Sequence, residues 1–417
     1  MEFRASKLGN GIRVLSEKHT DTCALSLGIW IDSGSGDEEK RLCGVSHLIE
    51  HMVFKGTENF NAFQIVSLPE AVGAEINAFT SREHTCYYTQ GLASDLELCM
   101  KILTDLVSRA TFPADEYDKE RLVVTQEIRS GEDSPDEHIF DVFFEKAYKG
   151  NSVGRPILGT FRSLGNITRA RLNNYYRFRY VGENIIVSAA GNINHDELLA
   201  LTDKLLGHLP AGVRTIKPKP TVMKAFSQVI TRPQEHVHVL VGIPAPRFND
   251  HWRVEGAVMT TIAGGGMSSR FYQEIREKLG LAYSVYSYQH VQADTSVEFL
   301  YSSTEPKKLK KLMKALNSEI LKMHSTGVTE EEVKMAKTQI KGQMLLANED
   351  LEFRMNSLAV NDLMLGRNRS VEEVLEEIDK VSVERVNEYA KIFWDAQNMG
   401  ILLLGPVKER ELEGMLL

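Results

Sequence analysis

The chain contains two copies of one sequence pattern, and this repeat constrains the fold more than any other feature. Residues 171–193 (RLNNYYRFRYVGENIIVSAAGNI) align without gaps with residues 385–407 (RVNEYAKIFWDAQNMGILLLGPV), 214 positions later. Five aligned pairs are identical: Arg171 and Arg385, Asn173 and Asn387, Tyr175 and Tyr389, Asn184 and Asn398, and Gly191 and Gly405. Each copy has the pattern of an amphipathic helix, a polar turn and a buried strand. Length alone allows two or three domains in 417 residues, whereas the repeat predicts two related halves.

The same order of elements recurs elsewhere in both halves. Each half is predicted to have an apolar strand, then a helix, and then two further helices of period 3.6. In the first half these are Ala24–Ile31, Gly44–Phe54, Asp95–Ala110 and Pro113–Arg129. In the second half they are Val237–Pro244, Trp252–Ile262, Lys307–His324 and Thr329–Leu346. This order, rather than strict βαβ alternation, is typical of a mostly antiparallel sheet covered by helices.

The segment between the halves has the composition of a linker. Residues 209–222 read LPAGVRTIKPKPTV, with three prolines and one glycine, which favours neither helix nor strand. We therefore predict an N-terminal domain at residues 1–210, a linker at 211–223 and a related C-terminal domain at 224–417. The predicted fold class is α+β, with two homologous domains joined in a clamshell arrangement.

Charge and hydropathy exclude several classes of protein. Lys and Arg total 49 against 57 Asp and Glu, a formal net charge of -8, which argues against nucleic acid or an anionic membrane as the main partner. No apolar run approaches the roughly 18 residues of a membrane-spanning helix, and the N-terminus lacks the apolar stretch of a signal peptide. The four cysteines form no CxxC pair, which favours a reducing compartment. We therefore expect a soluble, cytoplasmic protein.

The sharpest local motif is HLIEH at residues 47–51. From the composition, a His-x-x-acid-His pattern is expected only about 0.05 times by chance in this chain. His47 and His51 are four residues apart and share one face of a helix, so that both imidazoles can bind one metal ion. Glu50 lies on the same face, where it can reach a metal-bound water molecule. The HxxEH pattern is the signature of inverted zincins and predicts a zinc peptidase site.

A catalytic zinc ion needs a third protein ligand in addition to two histidines. The helix Pro113–Arg129 contains Glu116, Glu120 and Glu127, and the last two are seven residues apart, two turns along one face. Glu127 could bind the metal while Glu120 orients a ligating histidine. The alternative is that these carboxylates are solvated or interact with the helix dipole. Spacing alone does not decide between the two interpretations.

Taken together, these motifs resemble the pitrilysin/insulin-degrading family of metallopeptidases. HLIEHMVFKGT is followed, 76 residues after His51, by Glu127 within KERLVVTQEI. NAFTSREHTCYY (77–88), GGGMSSRFYQEIREKLGLAY (264–283) and the internal repeat also fit, so that the resemblance covers effectively the whole chain. It is closest to the short two-domain members that are similar to the catalytic subunit of the mitochondrial processing peptidase.

The resemblance implies a role for each charged residue of the first half's motifs. His47, His51 and Glu127 are implied to bind zinc, one Zn2+ ion per chain. Glu50 is implied to be the general base. Glu120 matches a carboxylate that orients a ligand without binding the metal itself. The resemblance thus selects Glu127 as the third ligand, which spacing left open.

The resemblance also implies substrate contacts. Asn77 and Ala78 would lie on a strand edge that pairs with an extended peptide, so that sequence preference would be loose. The second half has no HxxEH motif. Instead, Arg276 and Tyr283 match an arginine and a tyrosine that reach the substrate carbonyl from the second domain. Leu279 stands where relatives commonly carry a second arginine, which puts one further contact in doubt.

We therefore predict a zinc-dependent endopeptidase that hydrolyses unfolded peptides or leader segments, in which Glu50 takes the proton of a zinc-activated water molecule. The alternative is a non-catalytic peptide-binding or partner subunit of the same fold, because the family includes subunits that lose the motif. The intact motif favours the peptidase. The expected partners are peptides, with basic ones favoured by the net charge of -8, and neither nucleic acid nor a membrane. The resemblance also implies a homodimer.

Overall fold

The structure is a computed structural model that describes residues 2–408 of the chain. These residues form eleven strands: β1 (Glu2–Lys7), β2 (Arg13–Lys18), β3 (Ala24–Ile31), β4 (Glu75–Thr80), β5 (Thr85–Leu92), β6 (Ile185–Gly191), β7 (Phe226–Thr231), β8 (Val237–Ala245), β9 (Ser284–His290), β10 (Ser296–Thr304) and β11 (Gly400–Gly405). They also form fourteen α-helices: α1 (Val45–Val53), α2 (Ala62–Ala71), α3 (Leu96–Ser108), α4 (Ala114–Asp133), α5 (Pro135–Ala147), α6 (Phe161–Asn166), α7 (Arg169–Arg179), α8 (His195–Leu206), α9 (Arg253–Gly264), α10 (Leu309–Ser325), α11 (Glu330–Ala347), α12 (Leu351–Leu365), α13 (Val371–Lys380) and α14 (Val383–Phe393). Within residues 2–408, no helix is both long and apolar enough to cross a membrane.

The chain divides into two compact units, neither of which is continuous in sequence. Among the described residues, the first unit comprises 2–130, Arg155–Pro218 and Leu346–Arg369. The second unit comprises Gly131–Gly154, Lys219–Leu345 and 370–408. Each unit therefore includes a helix from the other half of the chain, α12 in the first unit and α5 in the second. No sequence pattern predicted this exchange.

The first unit is built on a six-stranded sheet in the order β1-β2-β6-β3-β5-β4. Only β2 and β6 run parallel, and the other neighbours are antiparallel. Alternate residues of β3, such as Leu27 and Ile29, are fully buried in a core that also includes Leu48 of α1 and Leu103 of α3. Trp30, on the opposite face of β3, is buried against Met355 of α12. Because both faces of β3 are covered, the strand reads as a continuous apolar run.

The second unit contains a five-stranded sheet in the order β7-β11-β8-β10-β9. Only β7 and β11 are parallel, so that the strand directions repeat those of β2-β6-β3-β5-β4 in the first sheet. The predicted fold class, two related and mostly antiparallel sheets covered by helices, is confirmed. The strands β3 and β8 and the predicted helices occur at the expected places.

Two glycines make room for the exchanged helices. Helix α12 packs on the first sheet through Met355, next to Trp30, and α5 packs on the second sheet through Phe143. A Cβ atom at Gly28 would lie 2.6 Å from Met355 Sδ, and one at Gly242 would lie 2.0 Å from a ring carbon of Phe143. Gly28 and Gly242 are 214 positions apart. The internal repeat therefore extends to the packing of the exchanged helices.

Candidate metal centre

The HLIEH motif lies on α1, a nine-residue helix of the first unit. Leu48 and Ile49 are fully buried and hold the helix in the core. The interleaved positions carry His47, Glu50 and His51, each only partly buried. The ring centroids of the two histidines are 4.7 Å apart. The helical spacing thus presents both imidazoles and the carboxylate on one side of α1, as the sequence predicted.

Helix α4 brings two carboxylates to α1. Its buried residues Val124 and Ile128 anchor it in the core. Glu120 is buried, with 6% of its surface exposed, and contacts His51, whereas the more exposed Glu127 contacts both histidines. Two turns separate the glutamates on α4, so that one helix supplies both carboxylates, Glu120 to His51 alone and Glu127 to both histidines.

Three ligand atoms converge between the two helices. Glu127 Oε2 lies 3.9 Å from His47 Nε2 and 3.4 Å from His51 Nε2. Ligand atoms of the three residues all lie within 4.8 Å of one another. Atoms bound tetrahedrally to zinc at about 2.0–2.2 Å are about 3.3–3.6 Å from each other. A small decrease in the distances between these three ligand atoms would therefore bring them to the spacing of a zinc site. Among the described residues this is the only such group of histidine, cysteine or acidic side chains.

The hydrogen bonds around the group leave its ligand atoms available. Within residues 2–408, Glu127 Oε2 is buried without a hydrogen-bond partner. His47 Nδ1, the ring nitrogen that does not face Glu127, is also buried without one. His51 Nδ1 lies 3.0 Å from Glu120 Oε2. Because a carboxylate only accepts, this contact places the proton on Nδ1 and leaves Nε2 free to bind a metal. Two imidazoles and a carboxylate with unsatisfied buried atoms fit a zinc ion.

Burial sets the protonation of two residues on α1. It lowers the pKa of His47 to about 3, and the neighbouring His51 acts in the same direction. His47 is therefore neutral at pH 7, the state in which an imidazole binds a metal. Burial raises the pKa of the Glu50 carboxyl, and the nearby charge of Glu127 raises it further. The hydrogen bond from Thr80 and the ring of His51 lower this pKa and so offset part of the rise. A raised carboxyl pKa suits a group that accepts a proton and returns it.

Two residues that contact the group were not predicted. The Thr80 hydroxyl, at the end of β4, donates a 2.5 Å hydrogen bond to Glu50 Oε2. Lys55 Nζ lies 2.8 Å from Glu120 Oε1. Lys55 lies just after the end of α1, and its partner Glu120 is on another helix, so helical spacing does not identify this contact. No local pattern points to Thr80, because its position depends on how the sheet packs on α1.

The residues predicted to bind peptide lie in an edge strand. Asn77 and Ala78 are in β4, the last strand of the first sheet, and β4 ends beside the acidic residue of the HLIEH motif. A cavity of about 340 Å³ adjoins this strand, and its lining includes Glu70, Glu75 and Glu352. An open strand edge can pair with the backbone of an extended peptide.

Arg276 and Tyr283 belong to the second unit, not to the unit that holds the metal group. Arg276 Nη1 donates to the Tyr283 carbonyl oxygen at 2.7 Å. Its guanidinium also lies over the rings of Tyr272 and Tyr283, at 4.9 Å and 4.6 Å from their centroids. Tyr283 is 81% exposed. The structure thus brings the predicted pair into contact and leaves the tyrosine accessible. Leu279, which stands where the resemblance leads us to expect a second arginine, is half-exposed.

The second unit does not repeat the metal group. Lys341 is 214 positions after Glu127 and forms an ion pair with Asp379. A lysine there replaces a ligand with a positive charge, so that this position repels a metal ion. The difference between the halves agrees with the missing second HxxEH motif.

Comparison with known protein families gives two matches along the chain. Residues 13–161 match the family described as insulinase (peptidase family M16). Residues 166–340 match the family described as the peptidase M16 inactive domain. The chain is also 36% identical over 408 residues to an uncharacterized zinc protease of Mycobacterium bovis, covering 97% of this chain and 93% of that protein. It is 32% identical over 400 residues to an uncharacterized zinc protease of Bacillus subtilis, covering 95% and 97%.

Solved structures share the fold at lower sequence identity. A protease from Helicobacter pylori superposes with a TM-score of 0.89 at 22% identity, covering 97% of this chain and 99% of that one. A peptidase M16 inactive domain structure from Pseudomonas fluorescens gives 0.88 at 19% identity, covering 98% of both chains. These similarities extend over both halves of the chain.

Proposed function

Since the chain belongs to the insulinase (M16) family of peptidases, we propose that it is a zinc-dependent endopeptidase that hydrolyses unfolded peptides or leader segments. The observation that carries this proposal is the convergence of His47, His51 and Glu127 ligand atoms within 4.8 Å, beside the carboxyl of Glu50. When bound there, one zinc ion per chain supplies a Lewis acid and lowers the pKa of a water molecule.

Glu50 moves the proton in the proposed reaction. Its Oε2 accepts the Thr80 hydroxyl hydrogen, which leaves Oε1 to accept a proton from the attacking water molecule. The water oxygen forms a bond to the peptide carbonyl carbon. The carbon–nitrogen bond then breaks, and Glu50 delivers its proton to the leaving amine. Glu50 thus ends the cycle as the carboxylate with which it began.

Glu120 acts through His51 in this proposal. Its Oε2 holds the Nδ1 hydrogen of the ring, and Lys55 holds its Oε1. A histidine whose far nitrogen donates to a carboxylate has a fixed orientation and is a more basic ligand. Glu120 is therefore a positioning residue for the metal site.

Peptide substrates are proposed to bind along the open edge of β4, where Asn77 and Ala78 lie. Backbone pairing would make the enzyme tolerant of sequence, in keeping with unfolded substrates. The glutamates that line the adjoining cavity agree with the preference for basic peptides that the net charge of -8 suggests. Peptides that contain Lys or Arg are therefore the first substrates to test.

Arg276 and Tyr283 are proposed to hydrogen-bond the substrate carbonyl as its oxygen gains negative charge. The proposal rests on the family resemblance and on the exposure of Tyr283. The homodimer also remains a proposal drawn from the resemblance. A non-catalytic partner subunit is the alternative, and the complete set of Glu50 and three ligand side chains argues against it.

A single substitution tests the activity. Glu50→Gln removes the base but no ligand, so that we expect zinc to be retained and peptide cleavage to fall about 100- to 10,000-fold. Cleavage is measured as new peptide termini by mass spectrometry, and zinc as metal per chain. Glu116→Gln is the control, because Glu116 lies on α4 and pairs with Lys119. Undiminished cleavage by Glu50→Gln, or stable peptide complexes without cleavage by the unaltered chain, would contradict the proposal.

A further inference from the structure

A buried carboxylate outside the metal group holds the start of α1. Glu38 is only 4% exposed and lies in the segment between β3 and α1. Its Oε2 accepts a hydrogen bond from the backbone N–H of Gly44 at 2.7 Å, and its Oε1 accepts one from the N–H of Ser46 at 2.8 Å. The two carboxylate oxygens therefore satisfy two of the free N–H groups at the N-terminus of the helix.

This contact replaces the usual cap of a helix. The residue at the N-cap of α1 is Gly44, which has a φ of 91° and no side chain to accept a hydrogen bond. Another residue is not tolerated there, because a Cβ atom at Gly44 would lie 2.5 Å from the Leu158 carbonyl oxygen. The side chain of Glu38, six residues earlier, supplies the cap instead, because both of its carboxyl oxygens accept hydrogen bonds from this turn.

Glu38 is itself fixed in place. Its backbone carbonyl oxygen accepts a 2.5 Å hydrogen bond from Arg155 Nη2. Ser46, the second residue held by the carboxylate, lies with its Oγ 3.5 Å from the hydroxyl of Tyr175. The first turn of α1 is therefore attached to the surrounding core at its backbone and at its side chains.

The two histidines of α1 depend on different ends of the helix. His47 directly follows Ser46 in the first turn, whereas His51 is in the last turn and is held by Glu120. Fraying of the first turn would displace His47 while His51 stayed in place. A metal ion bound by both rings is therefore sensitive to the order of the first turn.

We propose that Glu38 is a positioning residue, which sets zinc affinity by fixing the first turn of α1 and so the place of His47. The inference rests on the proposed zinc site but adds a residue that does not touch the metal. Loss of a residue that orients a ligand typically weakens metal binding about 10- to 100-fold. Because the held atoms are two backbone N–H groups, the effect requires a side chain with two acceptor oxygens.

The test is zinc affinity of the full-length chain, measured by competition with a chelator. In Glu38→Gln, one side-chain oxygen still accepts, but the amide opposes the second N–H, and we expect zinc to bind about 10- to 100-fold more weakly. Glu298→Gln is the matched control, since Glu298 is also a buried glutamate but lies in β10 of the second unit. We expect its zinc affinity to be unchanged. Urea unfolding of both variants confirms that the folded proteins are compared.

A spectroscopic measurement separates positioning from a general loss of stability. With cobalt(II) as the probe, displacement of His47 changes the visible absorption of the bound ion, which destabilisation alone does not. If Glu38→Gln does not fold, Glu38→Asp replaces it, because the shorter side chain reaches only one N–H. We expect Glu38→Asp also to bind zinc more weakly and to change the cobalt spectrum. Equal zinc affinity and cobalt spectra in the Glu38 variant and the unaltered chain would overturn this inference alone. Failure of the unaltered chain to bind zinc would overturn the proposed function as well.

Discussion

A single hydroxyl hydrogen determines which oxygen of Glu50 is free. Thr80 donates to Glu50 Oε2, so that the other oxygen faces the attacking water in the proposed reaction. Thr80→Val keeps the shape of the side chain but loses the donor. Since a hydrogen bond to a charged group is worth about 1.5–3 kcal/mol, we expect kcat to fall about 10- to 100-fold with little change in KM, and Thr80→Ser to restore most of it.

The strand partner of Thr80 provides the control. Thr85 lies directly opposite in β5, and its hydroxyl donates to the Ser33 carbonyl oxygen rather than to Glu50. Thr85→Val therefore removes a buried hydroxyl from the same sheet without touching the base. Equal losses of kcat in the two valine variants would show that the effect is structural.

Glu298 gives the second unit a pH-dependent stability. It is fully buried and accepts a 3.3 Å hydrogen bond from Trp394 Nε1, and burial raises its pKa from 4.5 to about 8. Between these values the folded chain holds a proton that the unfolded chain has lost. The contribution of the Glu298 proton to the free energy of unfolding is therefore complete below about pH 4.5. It is lost as the pH rises to about 8, by up to about 1.4 kcal/mol per pH unit.

Replacing Glu298 by glutamine removes this titration. We expect Glu298→Gln to gain stability relative to the unaltered chain as pH rises from about 5 to about 8. Urea unfolding of the metal-free proteins measures this difference, because the other titrating groups cancel between the two chains. A difference that does not vary with pH would refute the role of Glu298.

At this scale the sequence predicts residues whose partners are close along the chain. His47, Glu50 and His51 share a face by helical spacing alone, and Glu127 needed the family resemblance to be chosen over its neighbours. Thr80 and Glu38 contact α1 across gaps that only the folded sheet closes. Their roles could not be predicted, because neither the register of β4 nor the path of the chain before α1 is readable from local spacing.

The secondary-structure elements show the same division between local and distant causes. Helices α1, α3, α4, α10 and α11 follow from their apolar periodicity, and β3 and β8 follow from continuous apolar runs. The pairing of β2 with β6 and of β7 with β11, and the exchange of α5 and α12, depend on contacts between distant segments. Gly28 and Gly242 were the available signal, because a glycine inside a strand often marks the close approach of another element.

The close approach at Gly242 predicts a strong effect of one added methyl group. A Cβ atom there would lie 2.0 Å from a ring carbon of Phe143, which α5 holds in a packed core. We expect Gly242→Ala to lower the free energy of unfolding by about 1–3 kcal/mol. Phe143→Leu in the same chain should recover part of this loss, since it removes the ring. Denaturant unfolding of the single and double variants measures the coupling.

The same substitution at an open position is the control for Gly242. Gly342 lies within α11 of the same unit, and a Cβ atom there would meet nothing within 4 Å. Gly342→Ala should therefore raise stability by up to about 1 kcal/mol, as expected in a helix interior. Equal destabilisation by Gly242→Ala and Gly342→Ala would show that the contact with α5 is not the reason for a glycine at position 242.

For the whole molecule, the exchange of α5 and α12 means that neither half of the sequence contains a complete unit. A fragment of residues 1–218 keeps α5, whose apolar face packs in the second unit, but lacks α12. It would therefore expose both Phe143 and the sheet face around Trp30. A fragment of residues 219–417 has the opposite deficiency. Two exposed apolar surfaces on each fragment favour aggregation over folding.

We therefore expect each fragment alone to be insoluble or to unfold without cooperativity, and the two expressed together to form a soluble complex that binds zinc. The reason is that each exchanged helix completes the core of the unit formed mainly by the other fragment. Size-exclusion chromatography, thermal unfolding and bound zinc measure the outcome. Residues 1–218 mixed with a synthetic peptide of residues 346–369 form an intermediate test, in which only the first unit regains its missing helix. A soluble fragment 1–218 that unfolds cooperatively and binds zinc without α12 would contradict this account, because the first unit would then be complete without the segment that the second half of the chain supplies.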